Sequence, residues 1–190
     1  MDRLRAKYNS MSVETKAALW FAMCNFINKG IAMIVVPLYT RMLTTEEYGM
    51  YTVFQSWLNI FIIIATLEIS RGHYKVGITK YDEDVDNYTI SVLGLSNIVT
   101  ILFIVIYLCA IPVFNNLLEM PTYLVLSMFG YLLVYPAWEF WTIQQRFAYK
   151  YKTMVAATLA VAILSPVIGV AGIYLLNMQS DAAIFSKLLI

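Results

Sequence analysis

The chain has 190 residues, of which 61% are hydrophobic and 13% charged, with a formal net charge of +1 and a mean hydropathy of +0.69. A soluble domain is about 45–50% apolar and about 25% charged, so this composition excludes one and defines an integral membrane class. The basic residues fall in short clusters between apolar runs, a pattern that offers no surface to nucleic acid.

The first 16 residues are polar and carry Arg3, Arg5, Lys7 and Lys16, as expected for a basic terminus with a short interfacial helix. The first apolar run follows at 17–43. It is too long for a signal h-region and no small-residue cleavage site follows it, so it reads as a retained membrane helix. Its interior holds Asn25, Asn28, Lys29 and Pro37. A lysine at the centre of a membrane helix costs about 3 kcal/mol on insertion scales and therefore turns to a cavity or a partner. At 100° per residue Ala18, Ala22, Asn25, Asn28, Lys29, Ala32 and Val36 gather on one small, polar face. Trp20, Ile27, Ile31, Ile34 and Leu38 gather on the other, which is expected to meet lipid.

The stretch from Leu43 to Glu47 predicts a tight turn, with Thr44 or Thr45 as N-cap and two acids in the next first turn. A second helix is expected over 48–76. Tyr48, Thr52, Gln55, Asn59, Thr66, Ser70 and His73 form a polar stripe along it, readable as inter-helix hydrogen bonding or as one wall of a hydrated pathway. Glu68, Arg71 and Lys75 cluster away from the stripe, with Glu68 and Arg71 spaced as an i,i+3 pair.

A charged loop, KYDEDVDN, precedes a third helix at 88–114. A fourth is expected at 122–142, with Pro136 and Glu139 in its later half; Glu139 can pair with Arg146 or serve as a protonatable coupling residue. The polar stretch QQRFAYKYK reads as a connection, and a fifth helix follows at 153–176 with Pro166, Gly169 and Gly172 inside it. Residues 182–190 open a sixth helix, so the chain is expected to be the N-terminal portion of a longer protein. Each full segment exceeds the roughly 20 residues that cross the hydrocarbon core. Pro37, Pro136 and Pro166 each remove a backbone hydrogen bond and permit a kink. Short loops make sequential helices antiparallel neighbours, giving an all-α membrane bundle of five complete helices and the start of a sixth.

Orientation follows from the basic residues. One side holds Arg3, Arg5, Lys7, Lys16, Arg71, Lys75, Lys80, Arg146, Lys150 and Lys152, and the other holds Arg41 alone, leaving out Lys29 and Lys187 within helices. The positive-inside rule then sets the N-terminus and the loops at 71–87 and 144–152 in the cytoplasm. No nucleophile–base pair, zinc spacing, P-loop or dinucleotide fingerprint occurs, so no catalytic residue, metal or cofactor is assigned. Cys24 and Cys109 lie in apolar runs and read as small buried thiols. The single His73 reads as a solvent-facing or capping residue.

Two stretches carry a family resemblance. Residues 25–57 contain Asn25, Pro37-Leu38-Tyr39-Thr40-Arg41 and an acidic turn closing on Glu47-Tyr48-Gly49. Residues 144–174 begin with Gln145, Arg146, Phe147 and Tyr149-Lys150. Together they resemble the polysaccharide (O-antigen or capsule) flippases of the multidrug/oligosaccharidyl-lipid/polysaccharide exporter superfamily. The resemblance implies a multi-pass protein of the bacterial inner membrane with two repeated lobes, of which this chain is the N-terminal one. It implies movement of undecaprenyl-pyrophosphate-linked oligosaccharide from the cytoplasmic to the outer leaflet, by alternating access through a cation-lined cavity, driven by protons or sodium. Asn25, Asn28, Lys29, Gln55, Asn59 and Arg41 are then the candidate pathway residues, and Glu139 and Glu68 the candidate coupling residues. Arg41 can meet head groups on exit or sit at membrane lipid phosphates. The competing reading is a cation-coupled drug exporter of the same superfamily, which favours an acidic cavity and is opposed by Lys29. A membrane glycosyltransferase would need a larger external loop than any here, and paired polar stripes argue against a passive scaffold.

Overall fold

The computed structural model describes residues 10–70, 72–81, 84–176 and 179–188. Every element among them is a helix: α1 (Val13–Met42), α2 (Thr45–Thr66), α3 (His73–Lys80), α4 (Val85–Cys109), α5 (Ile111–Leu118), α6 (Thr122–Phe147), α7 (Tyr151–Leu176) and α8 (Gln179–Lys187). Five of them, α1, α2, α4, α6 and α7, are long and apolar enough to cross a membrane. The chain is an all-α, multi-pass membrane bundle. The expectations for Arg3, Arg5, Lys7, Arg71 and the last two residues of the sixth segment lie outside the described residues.

Local chemistry explains most of the boundaries. Ser12 caps α1 by accepting from the Thr15 amide at 3.3 Å. Only Leu43 and Thr44 separate α1 from α2, because Thr44 begins a reciprocal capping box: its hydroxyl accepts from the Glu47 amide at 3.3 Å, and Glu47 accepts from the Thr44 amide at 2.7 Å. Two orphan amides are satisfied at once, so the turn needs no further residues.

The helices start two to four residues earlier than the sequence reading, save the fourth, and three boundaries differ more deeply. The second segment does not run to residue 76: α2 stops at Thr66, where Leu67 and Glu68 both take left-handed backbone (φ 50° and 52°). Such conformations cost about 1–2 kcal/mol each in a residue with a Cβ. The turn they make allows α3 to bury Tyr74 against Phe140, with ring centroids 4.4 Å apart, and to stack it on Tyr88 at 5.7 Å. The third segment likewise breaks at Ala110, and Pro112 sits in the first turn of α5, where a missing N–H does no harm. A proline two residues later in a continuous helix would have clashed with the carbonyl four positions back. Finally, α6 continues through Gln144–Phe147, residues the sequence reading assigned to a polar connection.

The helices do not pack in chain order. α1 lies chiefly along α7 and touches α2 lightly; α4 lies along α6, and α7 along α8. The main core is built by Phe54, Leu58 and Phe61 of α2, Tyr107 of α4, and Leu124, Met128, Phe129 and Leu132 of α6. Phe61 meets Phe103 and Phe129 edge-on at 6.0 and 5.6 Å, the arrangement that ring quadrupoles favour. On α1 the buried residues are Ala17, Cys24 and Tyr39. The face carrying Ala18, Ala22, Asn25 and Lys29 is exposed, as is Ile34 of the bulky face, while Trp20, Ile27 and Ile31 are half-buried. The bulky face is therefore not wholly turned to lipid: Trp20 stacks on Tyr151 of α7 at 6.4 Å. Cys24 is buried as expected, but Cys109, in the last turn of α4, is exposed.

Candidate functional site

Because α1 leans on α7 and leaves α2, a cavity of about 780 Å³ opens between α1, α2, α6 and α7. That volume falls within the ordinary range of ligand pockets, about 300–1,000 Å³. Asn25 and Asn28 enter it from α1, and Gln55 and Asn59 from α2. One stripe of α6 supplies Tyr131, Tyr135, Trp138, Glu139, Thr142 and Arg146. Lys75 of α3 and Ser70 of the preceding turn also reach it, as does Thr158 of α7. Along α6 the cavity side chains recur at helical spacing, while Phe129, Leu132 and Phe140 fill the core side and are buried, and Ile143 borders both. The wall of the cavity and the core of the bundle are thus the two sides of one helix.

The structure brings together five of the eight residues that the sequence singled out: Asn25, Asn28, Gln55, Asn59 and Glu139. Lys29, Arg41 and Glu68 do not line this cavity. Lys29 lies about 24 Å along a helix of about 45 Å, on the exposed face of α1 one turn from Asn25. Arg41 is exposed in the last turn of α1, and Glu68 is half-buried in the left-handed turn after α2. The polar stripe of the second segment is divided. Gln55, Asn59 and Ser70 reach the cavity, whereas Thr52 lines a separate hollow beside Leu117 and Glu119. Thr66 is buried and bonds its own helix through the Ile62 carbonyl at 2.8 Å.

The cations of the cavity are Lys75 and Arg146. The Arg146 guanidinium lies 5.8 Å from the centroid of the Phe21 ring of α1, a cation–π placement that holds its side chain across the gap between α6 and α1. Neither cation, nor Tyr131, Tyr135 and Trp138, belonged to the pathway set drawn from sequence. On α6 the signal was present as an i, i+4, i+7, i+8, i+11, i+15 stripe from Tyr131 to Arg146, of which ending the helix at residue 142 cut off only Arg146.

Asn28 carries a further peculiarity. Its Oδ1 is buried and accepts no hydrogen bond, and its Nδ2 has only the Cys24 sulfur at 4.0 Å. A buried acceptor left so costs about 1–3 kcal/mol. Asn28, Trp138 and Thr158 also line a second, narrower space of about 330 Å³ with Ile31, Val35 and Pro166, so the polar cavity borders a more apolar one. Among the described residues no group of His, Cys, Asp and Glu is arranged to hold a metal ion.

A membrane helix bundle with an amide-lined, charged cavity is the architecture of a transporter for a polar solute. The chain matches the family described as polysaccharide biosynthesis protein over residues 15–188, and it belongs to that family. Its members are polysaccharide flippases and exporters rather than enzymes. Comparison with curated proteins and with solved structures gives no match.

Proposed function

We propose that this chain is one lobe of a flippase that moves a polyprenyl-pyrophosphate-linked oligosaccharide from the cytoplasmic to the outer leaflet of a bacterial inner membrane. The cavity carries the proposal: a space of about 780 Å³ lined by four amide side chains, two cations and one carboxylate, inside an apolar bundle. Polar and ionisable groups at membrane depth are expensive and mark substrate pathways.

On this reading Lys75 and Arg146 attract the pyrophosphate. Both stand on the side that the distribution of basic residues assigns to the cytoplasm, where the substrate is made. Asn25, Asn28, Gln55 and Asn59 meet the hydroxyl-rich part of the glycan. Lys29, on the exposed face of α1 beside Asn25, serves the open side of the pathway, and Arg41 meets head groups at the outer end of α1. Glu139 takes up or releases the coupling proton or sodium ion inside the cavity, with Glu68 as the second candidate near the cytoplasmic end. Alternating access is the cycle that a lobe with its site between helices supports.

The experiment is complementation. In a strain lacking the native gene, the full-length protein should restore surface polysaccharide, and Asn59→Leu with Gln55→Leu should reduce it by about tenfold or more at equal protein level. Full restoration by that double variant would remove the cavity from the pathway.

A further inference from the structure

The composition of the cavity walls says more about the ligand than its charge does. Tyr131, Tyr135 and Trp138 occupy consecutive turns on one face of α6 and all line the cavity. Tyr131 also packs against the main core, whereas Tyr135 and Trp138 take no part in the core clusters that Phe129, Leu132 and Phe140 build on the same helix. The Tyr131 and Tyr135 rings lie 5.3 Å apart at 34°, and Trp138 is braced by Trp141 at 5.2 Å and 32°, so the rings are held by neighbours. The other polar supply comes from α1 and α2, as the amides Asn25, Asn28, Gln55 and Asn59.

A pyranose has a C–H face that is apolar and a rim of hydroxyls that both donate and accept. Aromatic faces suit the first and are slightly negative, so they favour C–H over an anion. Side-chain amides suit the second, because each offers two donors and one carbonyl acceptor. Phosphate or carboxylate would use only the donors and leave the amide oxygens unpaired. A hydroxyl or an acetamido N–H can serve the acceptors of these amides as well as their donors, and an anion cannot.

We infer that Tyr131, Tyr135 and Trp138, with the amides of α1 and α2, form a subsite for an uncharged sugar ring, separate from the cationic end at Arg146 and Lys75. The spacing along α6 orders the two parts: the aromatic run covers about 10 Å, and Arg146 lies about 12 Å beyond Trp138. A sugar and its pyrophosphate are then bound in line, ring at the aromatic stretch and phosphates toward the cations. The inference rests on the reading of the cavity as a lipid-linked glycan site and specifies which chemical portion each wall recognises.

The test compares two probes on the full-length protein in lipid nanodiscs: polyprenyl pyrophosphate, and the same carrier bearing one uncharged N-acetylhexosamine. The glycosylated probe should bind wild type about tenfold tighter than the bare one. Trp138→Leu, and Tyr135→Leu, should shrink that ratio to about twofold or less, while Tyr135→Phe, which keeps the ring face, should preserve most of it. Equal affinity of the two probes for wild type would overturn the sugar subsite and leave the carrier site standing, whatever the variants do. A ratio unchanged in both leucine variants would overturn the aromatic assignment. Failure of both probes to bind would overturn the glycan-lipid reading and this inference together.

Discussion

The hydroxyl of Tyr39 on α1 meets the Ser186 hydroxyl on α8 at 3.1 Å, joining residues 147 positions apart. Ser186 donates to the Ala183 carbonyl at 2.8 Å and its own carbonyl accepts from Ser165 at 2.6 Å, so three helices share one buried polar node. Gly169 of α7 makes the node possible, because a Cβ there would run into the Tyr39 hydroxyl. Tyr39 packs on α7 near the C-terminal end of α1, two residues after Pro37.

Gly169→Val should therefore lower the melting temperature of the purified protein, with a loss of about 1–3 kcal/mol from overpacking. Tyr39→Phe keeps the ring and leaves one hydroxyl pair unmade, a change of about 1 kcal/mol. Thermal melts in detergent, read as the order wild type, Tyr39→Phe, Gly169→Val, check both. A Gly169→Val protein as stable as wild type would contradict the close approach.

Water should reach one side of α2 and not the other. In a background without Cys24 and Cys109, single cysteines at Asn25, Gln55 and Asn59 should react with a membrane-impermeant thiol reagent, since all three line the cavity. A cysteine at Ile60, an exposed apolar position off that face of α2, should not. Equal labelling at Ile60 and at the cavity positions would mean that the cavity is not hydrated in the membrane.

The cationic end can be tested by charge. Lys75→Ala together with Arg146→Ala should reduce surface polysaccharide by about tenfold or more, while Lys75→Arg alone should keep most of it, and Arg146→Lys should keep less because it gives up the planar group that rests on Phe21. Unimpaired export in the double alanine variant would leave Lys29 as the cation to examine.

Orientation has its own measurement. A reporter inserted within residues 81–84, between α3 and α4, should read as cytoplasmic, as the positive-inside count expects. A periplasmic reading would invert the direction of transport proposed for the cavity.

Much of this fold was legible in the sequence. Five apolar runs were long enough to span a bilayer, and each became a helix. The cap before α2 was legible as Thr44 or Thr45 followed by two acids, and the structure takes Thr44, in a capping box with Glu47. The break at Leu67 was not: it depends on Tyr74 finding Phe140 and Tyr88, contacts that no local rule encodes. The break at Ala110 could have been read from Pro112, had the proline been weighed against an otherwise unbroken apolar run. In the cavity, the amides of α1 and α2 stood out as polar residues in apolar helices. Tyr131, Tyr135 and Trp138 did not, since an aromatic residue in a membrane helix is equally at home in a core, at lipid or against a ligand. Lys29 drew attention as a lone charge, but of its face of α1 only the edge carrying Asn25 and Asn28 reaches the cavity lining.

The most direct test of the account is flipping itself. The full-length protein is reconstituted into liposomes with a fluorescent polyprenyl-pyrophosphate-linked sugar, and an impermeant quencher reports how fast the label crosses. The cavity account predicts rapid crossing with wild type and crossing slowed by about tenfold or more with Gln55→Leu and Asn59→Leu combined. Equal rates for the two proteins would contradict it.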